Sequence, residues 1–221
     1  MHPYLTPLRQ SFDAHRNSTN AVAMKAYMKG RYEYFGIKAT DRRQLMRDFL
    51  SRYGLPERTE ANAIIRELWS MPERELHYVA QEIAEKVYKK YEPGDLALLK
   101  YLATHNSWWD TVDFIASHLM GKFFKQHPHL THKTCEQWLA SDNMWLQRCV
   151  LLFQLKYKRD TDTALLFDAI RQLKDHPDFF IRKAIGWVLR EYSKTDAAAV
   201  EDFLTQIKLS NLSVREASKY L

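Results

Sequence analysis

Asn143-Met-Trp-Leu-Gln-Arg-Cys149 and, 35 residues on, Asp178-Phe-Phe-Ile-Arg-Lys-Ala184 share one layout. Each opens on a side chain suited to accept hydrogen bonds from the first free N–H groups of a helix. Each then runs into an apolar helical stripe and carries a polar or basic pair followed by a small residue. Arg215-Glu216-Ala217 repeats that pair once more. Working outward, helix starts can be set at Ser70, Asn106, Asn143, Asp178 and Asn211, with separations of 36, 37, 35 and 33 residues. Helix pairs at this period stack on their neighbours into a curved solenoid whose inner helices line one concave face. The uneven spacing points to HEAT-like repeats.

The rest of the chain agrees. Leu45, Phe49 and Leu50, then Ile64, Ile65 and Leu68, then Val79, Ile83 and Val87 recur at helical spacing, and no strand pattern competes. Breaks fall at Gly36, Gly54-Leu-Pro56, Pro72, Pro93-Gly94, His127-Pro128 and His176-Pro177. Only 6 Gly and 7 Pro interrupt 221 residues, and 46% of those are hydrophobic, so a folded all-α protein is expected. We read residues 1–221 as a single HEAT-like domain, curved, with a basic concave face. The 2 cysteines, Cys135 and Cys149, fall within helices and read as buried thiols in a reducing compartment. The N-terminus lacks the features of a signal peptide, and no segment could span a bilayer, which places the protein in the cytoplasm.

A net charge of +6 is compatible with an anionic partner. From Lys25 to Arg47, seven bases, including Lys29, Lys38, Arg42 and Arg43, face only Glu33 and Asp41. Tyr27, Tyr32, Tyr34 and Phe35 are interleaved with them, as on a surface that tracks phosphates, although a snorkelling helix face has the same look.

Asn106-Ser-Trp-Trp-Asp-Thr-Val-Asp113 is the most informative block for chemistry. Ser107 reads as the N-cap and Asp110 as a carboxylate bonding the first helical turn. Asp113 has no such capping task, and its plain alternative is an ion pair with a basic residue on the next helix. It follows Trp109 by four residues, so indole and carboxylate share a helix face, as suits a site handling a cation.

Tyr27-Met-Lys-Gly-Arg, Phe35-Gly-Ile-Lys-Ala-Thr-Asp-Arg-Arg43, Ser107-Trp-Trp-Asp-Thr-Val-Asp113, Trp145-Leu-Gln-Arg148 and Ile181-Arg-Lys-Ala-Ile-Gly-Trp187 together resemble the AlkD-type DNA alkylation-repair glycosylases, which are HEAT-like repeat proteins. The resemblance runs over essentially the whole chain. It implies excision of N3- and N7-alkylated purines from duplex DNA, with Asp113 as the catalytic carboxylate. It also implies that Trp109 and Trp187 embrace the lesion nucleotide and that Arg148 anchors its backbone. Tyr27 matches a position near DNA, and Lys29, Lys38, Arg43 and Lys183 are further candidates for DNA contact.

The chemistry asks for little else. An alkylated cationic purine is already a good leaving group, and a fixed carboxylate stabilises the oxocarbenium-like sugar as the bond breaks. Each indole face favours a cationic nucleotide by about 0.5–2 kcal/mol. This scheme requires no metal and no cofactor, and the expected partner is alkylated duplex DNA bound by a monomer. His127, His129 and His132 lack a companion ligand at metal spacing. Trp69, Trp138 and Trp145 read as packing, and Asp142 and Asp178 as caps. Lyase chemistry at Lys183 or Lys38 is not expected. The competing function is a non-catalytic repeat module that binds nucleic acid or protein.

Overall fold

The computed structural model describes residues 1–221, and helices are its regular secondary structure apart from one isolated bridge between Glu33 and Glu73. No helix is long and apolar enough to cross a membrane. Two compact units emerge, Met1–Lys90 and Tyr91–Leu221.

The first unit holds α1 (Thr6–Ala14), α2 (Ser18–Tyr27), α3 (Ala39–Tyr53), α4 (Arg58–Ser70) and α5 (Arg74–Val87). Its core includes Phe12, Phe35, Ile64, Ile65, Trp69 and Val79. The segment between α2 and α3 is pinned by acids at the start of α5. The buried Glu75 carboxylate accepts the backbone N–H groups of Phe35, Gly36 and Ile37 at 3.2, 2.9 and 3.1 Å. Burial nonetheless pushes the Glu75 carboxyl above its ordinary value. Glu73 takes both forks of Arg9 at 2.8 Å. Gly36 has φ +86°, and a Cβ there would lie 2.0 Å from the Asn17 carbonyl oxygen, so only glycine fits.

This explains a correction to the sequence reading. Of the aromatics threaded among the Lys25–Arg47 bases, Tyr32, Tyr34 and Phe35 are core residues, and only Tyr27 is exposed. Arg42 also turns inward, onto Glu82 at 2.6 Å and over the Tyr78 ring.

The second unit comprises α6 (Leu96–Thr104), α7 (Trp109–Phe114), α8 (Gly121–Gln126), α9 (Pro128–Leu139), α10 (Met144–Leu152), α11 (Thr163–Leu173), α12 (Phe179–Ser193), α13 (Ala197–Gln206) and α14 (Asn211–Ala217). A π-helical stretch, Ile115–Met120, joins α7 to α8 without a break. Helices α10, α12 and α14 pack one against the next. The α12–α14 crossing is close: a Cβ on Gly186 would meet Glu216 Cβ at 2.5 Å.

The observed starts of α5, α7, α10, α12 and α14 are 35, 35, 35 and 32 residues apart, a more regular repeat than the caps implied. Asn143 and Asp178 cap α10 and α12 as read from sequence. Ser70 does not begin a helix; it ends α4, its hydroxyl bonded to the Glu67 carbonyl at 2.8 Å. Ser107 likewise bonds back, to the Ala103 carbonyl at 2.7 Å, and the N-cap of α7 is Trp108. At α14 the cap is Ser210 rather than Asn211. Asp142 is exposed and Asn143 is the capping residue beside it. Cys135 and Cys149 are buried and unpaired, and burial pushes the Cys135 thiol up to about 12.

Candidate active site

Asp113 sits on the last turn of α7, immediately before the π-helical stretch. π turns inside a helix shift the side chains that follow and recur at functional positions. Ser117 donates its hydroxyl to the Asp113 carbonyl at 2.6 Å within that stretch.

The Asp113 carboxylate faces α10, where Arg148 grips it with two parallel hydrogen bonds. Nε reaches Oδ1 at 2.7 Å and Nη2 reaches Oδ2 at 2.9 Å. The side chains are 16% and 4% exposed, so the pair is almost wholly withdrawn from water. Arg148 spends Nη1 on the carbonyl of Phe180 at the start of α12. One guanidinium therefore ties three helices together. A fork-to-fork geometry of this kind fixes the plane as well as the position of the carboxylate.

Burial pushes the Asp113 carboxyl above its ordinary value and Asp110 adds to the rise, while the hydrogen bonds and charge of Arg148 oppose both. Arg148 is what keeps an ionised carboxylate viable in so dry a place.

Aromatic rings back this pair. The Phe180 ring packs edge-on against buried Trp108, centroids 4.9 Å apart, and lies 5.3 Å from Trp145. Trp109 is half-buried one helical turn before Asp113. Trp187 is half-buried on α12, one turn after Lys183. Phe179, at the first position of α12, is 52% exposed. Half-buried Trp145 thus packs against Trp108 and Phe180, and Trp69 and Trp138 are buried at their own places in the core.

The charged positions follow the repeat. Asp113, Arg148, Lys183 and Glu216 are spaced by 35, 35 and 33 residues, and they pair off in order. Lys183 meets Glu216 at 2.7 Å, and Glu216 also receives Arg190 and Lys219. Lys183 and Lys219 hold the Glu216 carboxyl down at about 2, against the opposing effect of burial.

The family model for DNA alkylation repair enzymes matches residues 8–221. The chain belongs to this family. A solved structure described as a predicted DNA alkylation repair enzyme from Enterococcus faecalis is 32% identical, with a TM-score of 0.86 over 94% of this chain and 97% of that one. AlkD2 from Streptococcus mutans shares the fold at 17% identity, TM-score 0.63, covering 84% of this chain and 91% of its own. The protein smu.31 from Streptococcus mutans UA159 does so at 18% identity, TM-score 0.62, covering 81% and 97%. No curated protein matches significantly.

In this alkylation-repair chain, the sequence candidates distribute over both units. Asp113, Arg148, Trp109, Lys183 and Trp187 lie in the second, with Asp113 and Arg148 in direct contact. Tyr27, Lys29, Lys38 and Arg43 lie in the first, all exposed. Lys38 occupies the N-cap position of α3, and Arg43 bonds back to the Ala39 carbonyl at 3.0 Å. His127 bonds the Tyr91 carbonyl at 2.9 Å and His132 pairs with Asp162 at 3.2 Å. Sequence reasoning missed Phe180, whose carbonyl completes the Arg148 shell. Its signal was available: Phe180 stands 35 residues after Trp145, at the equivalent place in the next repeat.

Proposed function

We propose that this alkylation-repair protein is a monofunctional DNA glycosylase that hydrolyses the N-glycosidic bond of cationic N3- and N7-alkylated purines in duplex DNA. The observation that carries the reading is the Asp113–Arg148 pair: a nearly buried carboxylate, held in plane by a two-pronged guanidinium, one turn from Trp109.

The leaving base is already cationic, so no strong acid is needed to expel it. As the C1′–N bond lengthens, positive charge moves to the sugar, and a preoriented anion in a dry site stabilises it without reorganising. Asp113 is the catalytic residue in this scheme, and its free carboxylate edge can also orient the attacking water. Trp109 and Trp187 offer electron-rich faces to a cationic nucleotide.

Arg148 is assigned two tasks. It positions Asp113, and the N–H groups that Asp113 and Phe180 leave over would meet a phosphate beside the lesion. Lys183 would exchange its contact with Glu216 for a phosphate. Tyr27, Lys29, Lys38 and Arg43 are assigned backbone contacts on the first unit. The whole chain acts as one monomeric domain, and the chemistry calls on no metal or cofactor.

The test is charge selectivity. The protein should release N7-methylguanine or N3-methyladenine from a methylated duplex and leave an O6-alkylguanine duplex intact. Release of the neutral O6-alkylguanine at a similar rate would refute a mechanism driven by the charge of the base.

A further inference from the structure

Between the α11–α12 loop and the α13–α14 loop lies a cavity of about 390 Å³ lined by Lys174, His176, Arg182, Lys208 and Ser210, with Asp175 and Leu209 on its wall. It is outside the Asp113 site: Arg182 is five residues from Trp187, on a different side of α12. Three permanent cations face one carboxylate here, and that carboxylate, Asp175, is largely exposed and 3.4 Å from Lys174.

Arg182 is the unusual member. Its Nε is buried and has no hydrogen-bond partner. A buried guanidinium N–H without an acceptor costs free energy, because it gave up water and received nothing in return.

The preceding repeat closes the same position with a side-chain amide, whose Oε1 is buried without a partner. Gln147, 35 residues earlier, donates its amide to the carbonyls of Leu139 and Ser141 at 3.2 and 2.8 Å, sealing the α9–α10 loop onto α10. In the next repeat a glutamine has become an arginine, the loop carbonyls are not engaged, and the space stays open. The backbone beside it is firm: the Ser213 hydroxyl donates to the Arg182 carbonyl at 2.8 Å and lies 2.9 Å from the Ser210 hydroxyl. This repeat therefore lacks its neighbour's loop clamp and holds a cationic socket in its place.

We propose that this socket binds a backbone phosphate of the substrate duplex, away from the nucleotide held at Asp113. A phosphate diester supplies the oxygen that Arg182 Nε lacks, and the guanidinium fork matches it. Lys174 and Lys208 add charge at the mouth. This inference rests on the duplex-DNA reading above. Its role is register: a phosphate contact carries no sequence information but fixes where the strand lies.

The experiment is fluorescence anisotropy of an undamaged duplex with the full-length protein across a range of KCl concentrations. Wild type, Arg182→Gln and Lys208→Gln are compared, each with a thermal melt. Each phosphate contact contributes about 0.9 to the slope of log affinity against log salt. Arg182→Gln should flatten the slope by about 0.9 and weaken binding by about eightfold at 0.1 M salt. Lys208→Gln, an exposed change, should shift both in the same direction by a smaller amount.

Unchanged slopes in both variants, with wild type binding the duplex, overturn the socket and leave the glycosylase reading standing. A lowered melting temperature for Arg182→Gln with unchanged slopes assigns Arg182 to structure alone. Inorganic phosphate that raises the wild-type melt but not that of Arg182→Gln, with duplex binding unaffected, makes this a free-anion site instead. No duplex binding by wild type overturns both readings.

Discussion

Replacing Arg148 with methionine removes a charge of similar length without opening a large void, and it isolates the role of the Asp113–Arg148 pair. Asp113 then keeps its buried position and loses both of its guanidinium hydrogen bonds, and the Phe180 carbonyl loses a third. Removing one member of a buried pair costs about 3–5 kcal/mol. The penalty has a ceiling, because Asp113 can take up a proton instead of remaining an unpaired anion. Protonating a carboxyl with a reference value of 3.8 at pH 7 costs about 4.4 kcal/mol. At pH 5 the same step costs only about 1.6 kcal/mol, so the ceiling falls with pH. Urea unfolding followed by tryptophan fluorescence is a suitable assay, since five of the six tryptophans belong to the second unit. Arg148→Met should lose about 3–4 kcal/mol at pH 7 and about 1–2 kcal/mol at pH 5. Asp113→Leu combined with Arg148→Met should recover most of that loss, with excision abolished. A penalty below about 1 kcal/mol at pH 7, or one equal at the two pH values, would refute the idea that Arg148 is what sustains a buried anion here.

Two further outcomes depend on protons. In the proposed scheme Asp113 acts as the anion, and burial raises its value, so excision by wild type should fall on acidification with a midpoint above 3.8; a midpoint at or below that value counts against the buried site. Stability carries the opposite sign for this group, since a raised carboxyl favours the protonated fold and that contribution is lost as pH rises through the folded value. Glu216 behaves the other way. Its depressed value, about 2 against 4.5, gives stability that is complete above about pH 4.5 and is lost as pH falls toward about 2. Discounted for the exposure of Lys183 and Lys219, the contribution is about 1–2 kcal/mol, so Glu216→Gln should lower the melting temperature at pH 7 by about 2–8 °C and flatten its acid dependence. A melt unchanged at pH 7 would remove Glu216 as the anchor of the last repeat.

The helices and their repeat were legible because apolar spacing is local, and Asn143 and Asp178 announced two helix starts through capping chemistry. Ser70 and Ser107 misled because a serine hydroxyl serves a helix end as readily as a helix start. In each case it bonds a carbonyl three or four residues back. The pairing of Asp113 with Arg148 was less visible, since a lone arginine reads equally as a phosphate ligand or a structural partner. Only the repeat of 35 residues, which sets one directly across from the other, favours contact between them. Tyr32, Tyr34 and Phe35 could not be told from a phosphate-tracking surface because their burial depends on Glu73 and Glu75, some 40 residues away. Long-range acids of that kind leave no local pattern.

The central claim concerns one carboxylate, and base release from a methylated duplex, by wild type and Asp113→Asn in parallel, tests it most directly. Asparagine keeps the shape and an acceptor for Arg148 but removes the anion. Wild type should release cationic methylpurines, and the variant should bind the same duplex yet excise on the order of 10²–10³-fold more slowly. Equal release by both would contradict the role given to Asp113, and release by neither, with duplex binding intact, would make the protein a DNA-binding repeat module without this chemistry.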